Sequence, residues 1–235
     1  MRVLEGVDNL KRQVDEIVGK RGGHLHIAIS PYYEKHYLSG ILPEFQRRYP
    51  STAFSIIDAM SDDGERLLLN GNVDLAFIIE PVKNKSLRSK RVYRDHLILV
   101  VPANSDISRG LHVEDGDTCS MESLHRLRQF PFVMPKKGRR LRKSIHAICK
   151  SAGFDPICSI ETESSSNIAE FVRNGCGVGI IPEGTLEEMG GRGIAHHPLN
   201  TPISERNLAV TWNEQSITDL ALSFTMYAVA IRCVP

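Results

Sequence analysis

Apolar and polar positions along this chain follow two periods, and each change of period marks the end of an element. The clearest passage is Ser164 to Glu183, SSSNIAEFVRNGCGVGIIPE. Three serines and Asn167 are N-cap residue types, and Ile168, Phe171 and Val172 then recur at the i, i+3, i+4 spacing of an amphipathic helix. Asn174-Gly175 tolerate the left-handed backbone that closes a helix. A short apolar run from Val178 to Ile181 follows, bounded by Pro182, and reads as a buried strand. The same order occurs earlier: Ser61-Asp62 open a segment, Leu67-Leu68-Leu69 give it an apolar face, Asn70-Gly71 end it, and Val73 to Ile79 read as a strand. Two helix–Asn-Gly–strand passages so far apart predict two α/β lobes of similar construction. A helix N-terminus beside strand ends is where small anions bind, so Ser164 to Asn167 are the first candidate site.

The remaining pattern fills in both lobes. His24 to Ser30 alternates as a first strand ended by Pro31, and a helix over 38–49 carries Pro43 in the first turn of its main part. Ala53 to Asp58 is a second strand. Leu97 to Val101 is an exit strand, and a polar crossover with one short helix near 121–127 leads to Phe132-Val133-Met134-Pro135. Helix 141–152, strand 157–163, a short helix from Glu183 to Met189, strand 194–197, a returning strand 207–211 and a terminal helix 217–231 complete the order. Right-handed βαβ links in that order imply mostly parallel sheets. Val3, Val7, Leu10, Val14 and Ile17 step by 4, 3, 4 and 3 with charges between them. Taken alone, that stripe fits either a helix packed on its own domain or the tail of a dimerising helix.

Composition narrows the function. A net charge of +1 and 41% hydrophobic residues describe a chain with cores to bury and no polyelectrolyte signature. No run reaches a transmembrane length, and the N-terminus carries no signal-peptide pattern. The cysteines Cys119, Cys149, Cys158, Cys176 and Cys233 form no C-x-x-C pair and read as reduced cytosolic thiols. His24 and His26 share a strand face without a carboxylate or thiol at ligand spacing, so no metal site is expected there. Asp74, alone in an apolar strand, is expected to accept backbone hydrogen bonds rather than to act as an active-site carboxylate. The basic run Lys136-Lys137-Gly138-Arg139-Arg140 directly follows a strand, which admits a role as one wall of an anion site.

The segments GGHLHIAIS, ILPEFQRRYP, LLLNGNVDLAFII, LILVVP and FVRNGCGVGIIPE, in this order and spacing, resemble the effector-binding domain of LysR-type transcriptional regulators from about Gly22 onward. The resemblance implies an α/β fold of two Rossmann-like lobes joined by two crossovers, like a periplasmic binding protein. Residues 1–21 would be the end of a linker and dimerisation helix, 22–101 with 203–235 lobe I, and 102–202 lobe II. It also implies a small polar or anionic effector between the lobes. Position by position, the effector contacts fall on Ser30, Pro31, Met60, Ser61, Asp62, Met134, Lys136, Ser164, Ser165, Ser166 and Asn167. Pro31-Tyr32-Tyr33 is bulkier than the small polar loop common in the family, which predicts a narrower or partly aromatic pocket.

The functional expectation is a cytoplasmic sensing module with no catalytic residues, no cofactor and no membrane partner. DNA would be contacted only through an N-terminal helix-turn-helix absent here. A homodimer is expected, and a tetramer for the full-length regulator. The pairing helices would be 38–49, with Ile41, Leu42 and Phe45 as apolar contacts, and 141–152, with Ile145 and Ile148. Some of these must face their own sheets, so only part of each helix can serve. Two alternatives share the scaffold: a solute-binding protein, which a signal peptide would mark, and an enzyme, for which Cys176 with His196-His197 is the one Cys/His candidate.

Overall fold

The computed structural model describes residues 23–231. The expected linker end, residues 1–21, lies outside them, as does Cys233. Along the chain, β1 (His24–Ile29) leads into α1 (Pro31–Tyr33), a π-helical turn (Glu34–Leu38) and α2 (Ser39–Arg48). Then come β2 (Ala53–Asp58), α3 (Ser61–Leu69), β3 (Leu75–Ile79) and the long β4 (Leu87–Pro102). Next are α4 (Asp106–Leu111), α5 (Met121–His125), β5 (Pro131–Pro135), α6 (Arg140–Ser151), β6 (Ile157–Thr162) and α7 (Ser165–Arg173). The order closes with β7 (Gly179–Pro182), α8 (Glu183–Met189), β8 (Ile194–Pro198), β9 (Glu205–Asn213) and α9 (Asp219–Ala230).

The chain divides into two compact units. The first holds residues 23–93 and 207–231 of the described chain, the second Arg94–Arg206. In the first unit β1 lies between β2 and β3, parallel to both, and β3 pairs antiparallel with β9. Leu75, Ala76, Phe77 and Ile78 of β3 are all buried, as a strand covered on both faces requires. Leu25, Ile27 and Ile29 meet Phe45, Phe224 and Tyr227 from α2 and α9 on one side. Ala28, Ala76 and Ile78 meet Leu68 of α3 on the other. In the second unit β5 and β6 pair in parallel, and β4 pairs antiparallel with β7 and β8. The sheets are therefore mixed rather than mostly parallel, because β4 and β9 run back against their neighbours.

Both Asn-Gly joints close in the same way. At the end of α3 the Asn72 N–H reaches Leu67 O (2.9 Å) and the Gly71 N–H reaches Leu68 O (3.1 Å), with Gly71 at φ 70°. At the end of α7 the Cys176 N–H reaches Phe171 O (3.0 Å) and the Gly175 N–H reaches Val172 O (2.9 Å), with Gly175 at φ 80°. This crossed pair satisfies carbonyls that the helix leaves open and turns the chain into the next strand.

Three local expectations are corrected. The helical run after β1 starts at Pro31, which occupies the first turn, whereas Pro43 falls inside α2. Ser39 and Pro43 are both exposed, so solvent reaches the carbonyl that Pro43 cannot serve. Tyr33 does not line an aromatic pocket, because it is 2% exposed and packs in the first unit's core beside Tyr37. The crossover holds α4 as well as α5. Ser105 caps α4 by accepting the Ser108 N–H at 3.1 Å, a cap signal that the surrounding polar residues obscure.

Candidate functional site

The expected site residues gather in two groups, one at strand ends in each unit. In the second unit Thr162 ends β6 and Ser164 caps α7, its hydroxyl accepting the Ser166 N–H at 3.1 Å. The first turn then reads Ser165, Ser166, Asn167, with no acidic residue in it. Asn167 donates from Nδ2 to Thr162 Oγ1 at 3.3 Å. Ser165 Oγ accepts from Thr185 Oγ1 at 3.0 Å, which ties α7 to α8 and gives that hydroxyl a structural task. The nine-residue α7 thus offers a half-buried hydroxyl at Ser166 and a positive dipole end with no acidic residue in its first turn.

Met134 and Lys136 flank this turn through β5, which pairs with β6. The Met134 side chain is fully buried among Phe132, Ile145 and Ile180, so it shapes the core beneath the site. The Lys136 N–H reaches Thr162 O at 3.1 Å, while Lys136 Nζ and Arg139 grip Glu163 at 2.8 and 2.6 Å. Hydrogen bonds from Lys136 and Arg139 hold the Glu163 carboxyl below its ordinary range. The basic run is therefore partly spent on its own acid. Arg142, missed in the sequence reading, is buried behind it and donates to Pro135 O and Glu161 at 2.8 and 2.7 Å.

In the first unit Ser30 and Pro31 open α1, and the Ser30 hydroxyl makes no capping bond. Met60 occupies the N-cap of α3. Ser61 is 8% exposed, and its hydroxyl accepts the Ile79 N–H at 3.1 Å, locking α3 to β3. Asp62 and Asp63 fill the first turn, with Asp62 in contact with Lys83 Nζ at 2.6 Å. Glu65, 6% exposed, spends both oxygens on the loop after β3, accepting the N–H groups of Lys83 and Asn84 at 2.9 to 3.2 Å. Nothing in the sequence spacing singled out Glu65, because its partners come from a loop beyond β3.

The other candidates resolve into structural roles. Asp74 accepts the His26 N–H at 2.7 Å and lies 3.3 Å from His26 Nδ1, as a backbone-bonding aspartate should. His24 stacks on His26 and contacts Ser55 Oγ at 2.7 Å. Cys176 packs beside Ile168 and Val172. His196 lies 3.0 Å from Asp115, and His197 is fully buried with Nδ1 3.2 Å from Asp117 O. Burial pushes the His197 imidazole below its ordinary pKa, against the Asp117 carbonyl and the Asp115 carboxylate, which raise it. Burial pushes the Cys119 thiol up to about 11 and, with Asp155, the Cys149 thiol up to about 12, so both are inert protonated side chains at neutral pH.

Each of the two α/β units sets a helix start at the carboxyl end of a strand, the place where such units bind small ligands. Residues 19–226 match the LysR substrate binding domain, and the chain belongs to that family. It is similar to the transcriptional dual regulator GltC of Bacillus subtilis (strain 168), at 25% identity over 88% of this chain and 66% of GltC. The chain spans about two thirds of the length of such regulators. Its fold is that of the effector-binding domain of QuiR in complex with shikimate (TM-score 0.77, 14% identity, 90% of this chain and 97% of that one). It is equally that of the Synechocystis PCC6803 CcmR regulatory domain in complex with 2-PG (TM-score 0.76, 18% identity, 90% and 98%). Among the described residues no helix is long and apolar enough to cross a membrane.

Proposed function

We propose that this chain is the sensing part of a cytoplasmic LysR-type transcriptional regulator. It binds a small polar or anionic effector and passes that event to a DNA-binding segment elsewhere in the whole protein. The observation that carries this reading is the first turn of α7, where backbone donors, the Ser166 hydroxyl and the helix dipole converge without an acidic residue in the turn. Ser164, Ser165 and Asn167 shape that turn, supported by Met134 in β5 and by Lys136 just after it. Ser30, Pro31, Met60, Ser61 and Asp62 supply the first unit's contacts, with Ser30 offering the uncommitted hydroxyl and Ser61 its backbone. The domain performs no turnover; the effector acts by favouring one arrangement of the protein over another.

The test is calorimetric titration with small carboxylates and phosphate esters, for which 2-PG and shikimate are the first members. Ser166→Ala should weaken the best ligand by roughly tenfold, the worth of one hydrogen bond to a charged group. The melting temperature should stay unchanged, since the Ser164 cap remains. Unaltered affinity, or a complex with the ligand away from α7, would overturn the assignment.

The assembly proposed is a homodimer, with a tetramer for the whole regulator. Ile41, Phe45, Ile145 and Ile148 cannot serve it, because each is at most 1% exposed in its own core. Leu42 and the polar outer faces of α2 and α6 remain available. Sedimentation of Leu42→Asp across a concentration series tests this, and an unchanged dimer would remove α2 from the interface.

A further inference from the structure

The chain passes from the first unit to the second between Tyr93 and Arg94, within β4, and returns between Arg206 and Asn207, within β9. These two strands are neighbours in the sheet. On the second unit's side of each division they carry charges in opposite order, Arg94-Asp95 on β4 and Glu205-Arg206 on β9. The exposed members meet across the strands, with Arg94 Nε 3.7 Å from Glu205 Oε1. The buried members meet as well: the Arg206 guanidinium donates to the Asp95 carboxylate, their side chains 7% and 2% exposed. Successive side chains leave a strand by opposite faces, so one ion pair stands on each face and the polarity reverses between them.

The two pairs have different consequences. The exposed one is screened by water and contributes little. The buried one interrupts apolar strands, since residues 97–101 of β4 and 208–210 of β9 are all buried. Apolar side chains at 95 and 206 would continue those runs without stripping water from two charges, so stability alone does not account for the pair. What the pair adds is geometry. A guanidinium and a carboxylate satisfy each other only over a narrow range of distance and direction, and a buried charge that loses its partner is costly. β4 and β9 therefore resist sliding or twisting against each other at this point. One residue past the pair, the Asn207 carbonyl accepts the Glu80 N–H at 2.8 Å, which ties β9 to the end of β3.

We propose that Asp95 and Arg206 are a latch on the two crossover strands, one that restricts the arrangements the two units can sample. The latch is a property of the chain without ligand; its use in signalling rests on the sensing role proposed above. There it keeps the arrangements few, so that an effector's preference for one of them is not lost in bending of β4 and β9.

Asp95→Leu with Arg206→Met removes both charges together, an exchange that buried ion pairs tolerate far better than loss of one partner. Spin labels on bio-orthogonal residues at Lys85 and Lys150, an exposed position in each unit, report the spread of distances between the units once labelled chains are diluted in unlabelled ones. The spread in the double variant should be about twice that of the parent or more, as the units regain the freedom that joined domains ordinarily have. Amide exchange should rise by about tenfold at residues 94–96 and 207–208 and stay unchanged at Ile27 and Ile180. Arg206→Lys keeps the charge without the planar fork and should fall between parent and double variant. An unchanged spread would overturn the proposal. So would faster exchange throughout both units, or a double variant that does not fold, either of which makes the pair a part of the core rather than a latch. No arm contains ligand, so a failure to bind anions at α7 would refute the sensing role and leave this result standing.

Discussion

The helices α3 and α7 open equivalent joints in the two units and end in the same Asn-Gly turn, yet their N-termini are finished in opposite ways. α3 starts without a side-chain cap, carries Asp62 and Asp63 in its first turn, and spends the Ser61 hydroxyl on β3. Its positive end is answered from within. α7 starts with a serine cap and an uncharged turn of Ser165, Ser166 and Asn167. Its positive end has no such internal answer. The same backbone device is thus charge-compensated at its start in one unit and left without an acidic residue in the other, and the residues of a single helical turn make the difference.

The largest break in the comparison is Gly177→Ala. Gly177 stands at φ 135°, and a Cβ there would collide with the Pro131 carbonyl oxygen of β5. The cost should be about 4 kcal/mol or more, read as loss of folded protein in urea titration. Gly175→Ala, at φ 80° with open space around it, should cost only about 1–2 kcal/mol.

Next is Glu65→Ala, which strands the Lys83 and Asn84 N–H groups and should cost roughly 2–3 kcal/mol in the same titration. Loss of the loop after β3 should appear as faster amide exchange at Lys83 and Asn84, with α7 unaffected. Equal loosening of both helices would show that they are not independently built.

Ser166→Asp makes α7 resemble α3. It should weaken an anionic ligand by more than about tenfold while stabilising the helix by ~0.3–1 kcal/mol. A ligand indifferent to that carboxylate would place the receptor elsewhere.

The smallest effect is a pH dependence confined to the second unit. His197 has a folded pKa below its unfolded value of about 6.5, so the unfolded chain takes up the proton first. Stability from this group is complete above that pH and falls as pH drops through it, by less than about 1.4 kcal/mol per pH unit. Urea midpoints at pH 7.5 and 5.5 should converge in His197→Gln; an equal slope in both proteins would clear His197 of the effect.

The period of the apolar residues determined the elements, because burial of one helix face or of a whole strand leaves that period in the sequence. Residue type at the joints determined their closure, since Asn-Gly accepts the left-handed turn and serines cap helices. Hence Ser164 to Asn167 stood out before any coordinates. Tertiary structure alone decided which polar groups were already spent: Ser61 on Ile79, Ser165 on Thr185, Lys136 on Glu163, Glu65 on the loop beyond β3. It also decided that Tyr33, Ile41 and Ile145 belong to cores rather than to a pocket or an interface. Those outcomes depend on contacts between residues distant in the chain, which no local period or motif records.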